Sequence, residues 1–215
     1  PDEAFQSSGS TVFSQEVLDI LDLKTKDNPP ILQARLTGLA APERPLLGGA
    51  NFYVYAEPRR DRSYVMGVDA AQGIHGDYHY MAIFDQHDGT FFEEVASFWS
   101  NEIDAKAFGH VCTLGAELFN NAFITPEIQG GGLATCMTIV VENRYMRIYQ
   151  RKTLDTISNA TGDANIFRYG IFTSHQVKDA LIQNARNLLS EKRLLLRTPY
   201  LIDQFKAFKK EAGKS

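Results

Sequence analysis

The feature that most constrains the fold is the order of apolar segments between residues 63 and 127. Three short apolar runs come first, then a helix-length pattern, then a fourth short run. These segments are Tyr64–Asp69, Tyr78–Asp85, Thr90–Trp99, Glu102–Asn120 and Ala122–Glu127. Short runs joined by a tight turn predict antiparallel neighbours, whereas a strand that follows a crossover helix returns parallel to the first. The sequence therefore predicts an α/β fold in which helices flank a mixed sheet, with three antiparallel strands followed by parallel ones.

The rest of the chain continues the alternation of helices and strands. The further predicted elements are helix Leu133–Asn143, strand Met146–Gln150, helix His175–Glu191, strand Leu194–Arg197 and helix Tyr200–Glu211. The helix that begins at His175 is expected to bury one apolar face, formed by Val177, Leu181, Ala185 and Leu188. Asn101, with Asp104 three residues later, predicts the N-cap of the first long helix.

The first 62 residues differ from the rest of the chain. Five of the eight prolines lie between positions 29 and 58, namely Pro29, Pro30, Pro42, Pro45 and Pro58. Because proline interrupts regular elements, we expect a loop-rich extension with one short helix around Ser14–Leu23. We therefore divide the chain into an N-terminal extension, residues 1–62, and a main domain, residues 63–215.

The composition excludes several classes of protein. Of the 215 residues, 44% are hydrophobic and 22% charged, a globular balance that argues against disorder. No uncharged apolar stretch is long enough for a transmembrane helix, and the first residues do not form a secretory signal. The two cysteines, Cys112 and Cys136, are expected to be reduced and buried. A net charge of -4 argues against a non-specific nucleic-acid binder, although a cluster of metal-binding acids would lower the charge of a nuclease in the same way.

Three acids stand at the ends of predicted strands. Asp69 ends the most apolar run, Asp77 precedes the next run, and Glu127 ends the fourth. If the first two strands form a hairpin, Asp69 and Asp77 share one edge of the sheet. A parallel fourth strand brings Glu127 to the same edge. Oxygen ligands of this kind suit Mg²⁺ or Mn²⁺, and two such ions ~4 Å apart can hydrolyse a phosphodiester.

Each acid also has a simpler interpretation. Asp69 could cap a turn, Asp77 could be an ordinary loop acid, and Glu127 could pair with a buried basic residue. A site is favoured because all three stand at strand ends on one rim. The run Gly130-Gly131-Gly132 either lets the backbone approach a ligand or tightens a strand-to-helix turn. Neither a P-loop nor a GxGxxG motif is present, so no nucleotide triphosphatase is indicated.

Together these residues resemble a known family, the nuclease domain of the large terminase subunit of tailed bacteriophages. The likeness begins with Tyr64–Asp69, the loop to Gly76-Asp77-Tyr78, and Glu127 followed by glycines. It continues in order through Tyr149-Gln150-Arg151, Gly170-Ile171-Phe172-Thr173 with Lys178, and Leu201–Phe208. Residues 5–14 are similar to the segment that leads out of that family's ATPase domain. The order and spacing of these short motifs extend the resemblance over nearly the whole chain.

The resemblance implies a ribonuclease H-like fold and a two-metal endonuclease that cuts concatemeric viral DNA during genome packaging. By position, Asp69 would bridge two Mg²⁺ or Mn²⁺ ions, Glu127 would be the second ligand, and Asp77 would support a metal or a water. Lys178 would contact a DNA phosphate or the acid cluster. The implied partners are double-stranded DNA, the ATPase domain of the same parent chain, the portal and the small terminase subunit. The implied location is the cytoplasm of a bacterial host, without membrane attachment.

The sequence departs from the family pattern at two places. Gln129 stands where the family has asparagine. The family's last metal ligand, an aspartate after the final helix, has no counterpart here, because Asp203 and Glu211 lie too early. We therefore expect a piece of a longer protein. Two other interpretations stay open: a resolvase-type or transposase-type nuclease of the same fold, or a non-catalytic module that docks on DNA or the portal.

Overall fold

The structure is a computed structural model that describes residues 11–37, 50–151 and 169–208. Its described residues form a sheet of seven strands. The strands are β1 Leu32–Ala34, β2 Phe52–Val54, β3 Tyr64–Asp69, β4 His79–His87, β5 Phe91–Ser100, β6 Phe123–Pro126 and β7 Leu194–Leu195. The spatial order is β1-β2-β5-β4-β3-β6, and β7 pairs with β5.

The central pairings agree with those predicted from the sequence. β3, β4 and β5 are consecutive antiparallel neighbours. β6 returns parallel to β3 after a helix, with Val65 opposite Phe123 and Val68 opposite Pro126. Asp88 and Gly89 adopt positive φ angles in the turn between β4 and β5. The predicted mixed sheet with helices on its faces is therefore confirmed.

Helices cover both faces of this sheet. They are α1 Gln15–Asp27, α2 Ala105–Leu118, α3 Gly132–Met137, α4 His175–Ser190 and α5 Pro199–Ala207. α3 continues into a π-helical turn at Thr138–Glu142, where the sequence places a β-branched run. One core packs α2 and α3 on the sheet around Met66, Phe98 and Phe108. A second core packs α1, α4 and α5 on the opposite face around Leu18, Leu196 and Ile202.

Two details of the predicted helices are wrong. The N-cap of α2 is Asp104, whose Oδ1 accepts the Ala107 N–H over 2.7 Å, and not Asn101. In α4, Val177 is 36% exposed and Leu181 48% exposed, so the predicted apolar face is not the buried one. The face that packs against the second core instead carries Ile182, Ala185 and Leu189. Ala185 belongs to both faces, whereas residues 175–181 are exposed and make no part of the core.

The predicted strand over Met146–Gln150 does not form a ladder. Isolated bridges join Ile148 to Ile124 and Gln150 to Tyr169. The final predicted helix begins one residue early, at Pro199, and its predicted last residues lie outside the described range. Both cysteines are free and buried, as predicted. Among the described residues, no helix has the length and apolar composition needed to cross a membrane.

The N-terminal stretch contributes to the same sheet as the main domain. Its predicted short helix is present as α1, and it is longer than expected. β1 and β2 were not predicted, and they extend the sheet beyond β5. The division of the chain at residues 62 and 63 stays a prediction.

Candidate metal centre

The acids at the ends of β3 and β6 lie side by side in the sheet. Val68 pairs with Pro126 in the parallel ladder, and the next residues along the two strands are Asp69 and Glu127. The Glu127 N–H donates to the Val68 carbonyl oxygen over 3.0 Å, which continues the ladder to Glu127. Because successive side chains alternate between the faces of a strand, residues in register share a face. Asp69 and Glu127 therefore lie on the same face at the same edge.

The glycine turn, formed by Gly130-Gly131-Gly132, is hydrogen-bonded to the loop that follows β3. The Gly131 N–H donates to the Ala70 carbonyl oxygen over 3.1 Å. A Cβ atom on Gly131 would lie 2.1 Å from the Ala71 carbonyl oxygen, and one on Gly132 would lie 1.8 Å from the Glu127 carbonyl oxygen. No residue with a side chain fits at such distances. Of the two roles predicted for the glycine run, the structure shows the tight strand-to-helix turn.

The surroundings of Asp69 disfavour the negative charge of its carboxyl group. Its pKa is raised above the ordinary value, first by burial, then by the charge of Glu127 and then by that of Asp77. The residue retains solvent-exposed surface, but the protein around its carboxylate removes part of the hydration that stabilises the charge. Two further negative charges thus act on Asp69 at this edge, and a cation would relieve the repulsion.

Substitution Asp69→Asn is expected to stabilise the metal-free protein at neutral pH. Because the folded state binds the Asp69 proton more tightly than the unfolded chain, the free energy of unfolding falls as pH rises from the ordinary aspartate range through the raised pKa. Solvent screening limits the gain at pH 7 to less than about 1 kcal/mol, or roughly 2–4 °C in Tm. Thermal unfolding in EDTA between pH 3 and pH 7 measures it. The gain should vanish at the acid end; a variant less stable than wild type at pH 7 would contradict the account.

The donor chemistry of these residues fits an oxygen-preferring cation such as Mg²⁺ or Mn²⁺. Asp77 lies on the exposed loop before β4 and is outside the ladder that joins Asp69 to Glu127. Across the described residues, no group of three or more His, Cys, Asp or Glu side chains comes close enough together to hold a metal ion. The structure therefore brings Asp69 and Glu127 together and leaves Asp77 on the loop, and the roles of all three acids as ligands stay predictions.

Lys178 has a different environment from the acids. It lies exposed in the first turn of α4, where a lysine opposes the helix dipole. Its Nζ lies 5.8 Å from the centroid of the Phe208 ring, a favourable cation–π contact that supplies one reason for its placement. Contact with DNA or with the acids stays a prediction for this residue.

Comparison with solved structures identifies the fold. No protein-family profile matches the chain, and comparison with curated protein sequences gives no match. The chain is similar to the large terminase nuclease from thermophilic phage G20c with bound magnesium, with a TM-score of 0.58 and 17% identity over 94% of this chain and 82% of that one. The chain has the fold of a large terminase nuclease domain.

Two further solved structures give the same result. The phage G20c nuclease with bound zinc has a TM-score of 0.56 and 17% identity, and the match covers 93% of this chain and 89% of that one. The large terminase nuclease domain of Thermus phage P74-26 has a TM-score of 0.55 and 17% identity, over 93% and 79% of the two chains. The ribonuclease H-like fold implied by the sequence motifs is thus confirmed.

Sequence reasoning missed an aromatic group beside the acids of this terminase-like fold. Tyr80 is the register partner of Asp69, and Trp99 is the register partner of Tyr80. The ring of Tyr200, from α5, stacks on both, with centroid distances of 5.5 Å to Tyr80 and 5.6 Å to Trp99. Burial, Tyr78 and the charges of Asp69 and Asp77 raise the pKa of Tyr200. No short motif marks these residues, because they meet only through strand register and the docking of α5.

Proposed function

We propose that this chain is a metal-dependent endonuclease that cuts concatemeric viral double-stranded DNA during genome packaging. One observation carries the proposal. Asp69 and Glu127 stand in register at the ends of two parallel strands, in a fold shared with the phage G20c terminase nuclease, which has been solved with bound magnesium, cobalt or zinc. The raised pKa of Asp69 supports it, since a carboxyl group whose pKa is perturbed by burial and by a neighbouring charge is typical of a functional site.

The residues have distinct proposed roles. Asp69 holds both divalent ions, Glu127 is the second ligand, and Asp77 supports a metal or its water from the adjoining loop. When bound, two Mg²⁺ or Mn²⁺ ions supply an activated water and stabilise charge on the phosphodiester. Lys178, whose long side chain rests on Phe208, contacts a DNA phosphate. The glycine turn holds the Glu127 backbone against the loop that follows Asp69.

The proposed context is that of a packaging motor. Residues 1–62 lead from an ATPase domain of the same parent chain, and residues 63–215 form the nuclease domain. The portal and the small terminase subunit are the further partners, in the cytoplasm of a bacterial host. The fold and the resemblance of residues 5–14 to the family's inter-domain segment support this assignment.

The test is a cleavage assay on supercoiled plasmid with Mn²⁺ or Mg²⁺, with and without EDTA. We expect the wild type to nick and linearise plasmid only with metal, and Asp69→Ala to leave it intact. The matched control is Glu117→Gln, which removes the charge of an exposed acid on α2 away from the proposed site. It should cut like the wild type.

The outcomes separate the alternatives. Cleavage that persists in EDTA or in Asp69→Ala would contradict the proposed metal site. Metal-dependent cutting confined to four-way junctions or other branched DNA would indicate a resolvase-type enzyme. Absence of cutting, with DNA binding that is unchanged in Asp69→Ala at matched salt, would indicate a docking module.

A further inference from the structure

A fully buried glutamate lies in the middle of β5. Glu94 has 0% exposed surface, and burying a carboxylate is costly unless donors surround it. The register between β4 and β5 shifts after the pair Ile83 and Ala96, because Phe84 next pairs with Glu94 and leaves Val95 as an extra residue. A bulge of this kind redirects the neighbouring side chains. It directs Val95 and Ala96 into the first core and Glu94 toward α5.

Four donors from two elements meet the Glu94 carboxylate. Oε2 accepts the N–H groups of Arg197 over 2.8 Å and of Thr198 over 3.0 Å. Oε1 lies 2.5 Å from the Thr198 hydroxyl and accepts the Tyr80 hydroxyl over 3.2 Å. The Thr198 Oγ1 also lies 2.7 Å from Ser97 Oγ and 3.2 Å from the Tyr55 hydroxyl oxygen. Since Thr198 has one hydroxyl proton, it donates to the carboxylate and accepts from the other two.

This network fixes the start of α5. Thr198 is the N-cap of α5, and its own side chain caps no helical N–H. Pro199 occupies the first turn and supplies no N–H. The donors of Arg197 and Thr198, just before the helix, therefore anchor α5 to the sheet through Glu94. The next residue is Tyr200, which stacks on Trp99 with an interplanar angle of 7°.

A row of side chains connects α5 to the acid edge, the edge of the sheet that carries Asp69 and Glu127. Asp69, Tyr80 and Trp99 are consecutive register partners across β3, β4 and β5, and directly opposed residues share a face of the sheet. Tyr200 covers the aromatic part of this row. The place of Tyr200 beside Asp69 therefore depends on where α5 begins.

We propose that Glu94 is a positioning residue that locks the N-terminus of α5 onto the sheet and thereby holds Tyr200 against the acid edge. The catalytic consequence rests on the proposed nuclease function; the structural one does not. Glu94 acts through Thr198 and Tyr200, and its hydrogen bonds go to Arg197, Thr198 and Tyr80, not to Asp69. The lock joins β5 to α5, two segments far apart in the chain, so it couples the packing of α5 to the geometry of the acids.

The experiment uses the chain's single tryptophan as a reporter. Trp99 lies between the rings of Tyr53, at 4.3 Å, and Tyr200, at 5.6 Å, so displacement of Tyr200 exposes the indole. Thr198→Val removes the hydroxyl at constant shape, and Thr198→Ser retains it. Glu94→Gln tests the carboxylate itself, and Glu93→Gln is the matched control, since Glu93 pairs with the Arg197 side chain instead. Far-UV circular dichroism first establishes that each variant is folded.

We expect Thr198→Val and Glu94→Gln to increase acrylamide quenching of Trp99 and to lower kcat for plasmid cleavage about 10–100-fold, as supporting residues of metal sites typically do. KM should change little, and Thr198→Ser and Glu93→Gln should behave like the wild type. Folded variants with wild-type quenching would overturn the proposal, as would altered quenching with an unchanged kcat in a cutting enzyme. If the wild type cuts nothing, the nuclease function fails, and the quenching result alone decides whether the lock exists.

Discussion

With Mn²⁺ present, Asp69→Ala will cleave supercoiled plasmid at least about 10³-fold more slowly than the wild type. Bound metals supply several kcal/mol of transition-state stabilisation, and a loss of about 4 kcal/mol corresponds to a factor of about 10³ in rate. Glu127→Gln will lose a similar factor, since Glu127 continues the ladder beside Asp69. Asp77→Asn will lose less than about tenfold, or about 1.4 kcal/mol, because Asp77 lies on a loop outside that ladder and shifts the Asp69 pKa less than Glu127 does.

This order of effects is measured by initial rates of nicking across a Mn²⁺ titration. Thermal unfolding of each variant separates lost catalysis from lost folding, and Asp69→Ala should be no less stable than the wild type. An Asp77→Asn loss as large as that of Asp69→Ala would show that the loop acid is an equal ligand. Cleavage by Glu127→Gln at the wild-type rate would show that the Glu127 carboxylate beside Asp69 has no role in catalysis.

Gly132→Ala will destabilise the protein by about 1–3 kcal/mol, the usual cost of overpacking, and will lower Tm by roughly 2–12 °C. The added Cβ would stand 1.8 Å from the Glu127 carbonyl oxygen and 2.7 Å from its carbonyl carbon. Both atoms belong to the backbone, so relief requires movement of the chain that carries Glu127. A displacement of about 1 Å can cost about 10² in rate, so cleavage should fall together with stability.

The control for this substitution is Gly67→Ala on β3, where an added Cβ meets nothing within 4 Å. Its Tm should stay within about 1–2 °C of the wild type, as surface substitutions usually change stability by less than about 0.5 kcal/mol. Differential scanning calorimetry and the plasmid assay give both readouts. A Gly132→Ala protein with wild-type Tm and rate would mean that the turn relaxes without moving Glu127.

The central sheet was predictable because its signals are local. Each of the strands β3 to β6 is a short apolar run, and the tight turn and the intervening helix determine which neighbours are antiparallel and which are parallel. From that topology alone the sequence placed Asp69 and Glu127 at one edge. The glycine run could be assigned to a tight turn only when its backbone distances to Ala71 and Glu127 were known.

The remaining features depend on tertiary contacts that leave no periodic signal. β1 and β2 are three-residue strands that are held by pairing, β2 with β5 and β1 with β2. The bulge at Val95 turns Glu94 to the opposite face, which strict alternation along the strand does not predict. The buried face of α4 is set by where the second core lies, and not by the apolar pattern of the helix as a whole.

The parallel pairing of β3 with β6 also bears on when the acid edge is assembled during folding. The hairpins from β3 to β5 join neighbouring segments, whereas β6 reaches β3 only after the α2 crossover has closed a long loop, and non-local pairing of this kind is slow. Until β6 docks, Asp69 is paired with Tyr80 on β4 but lacks Glu127 on its other side. A partly folded chain therefore lacks one of the two proposed ligands, so the proposed metal site would be complete only once the sheet has closed.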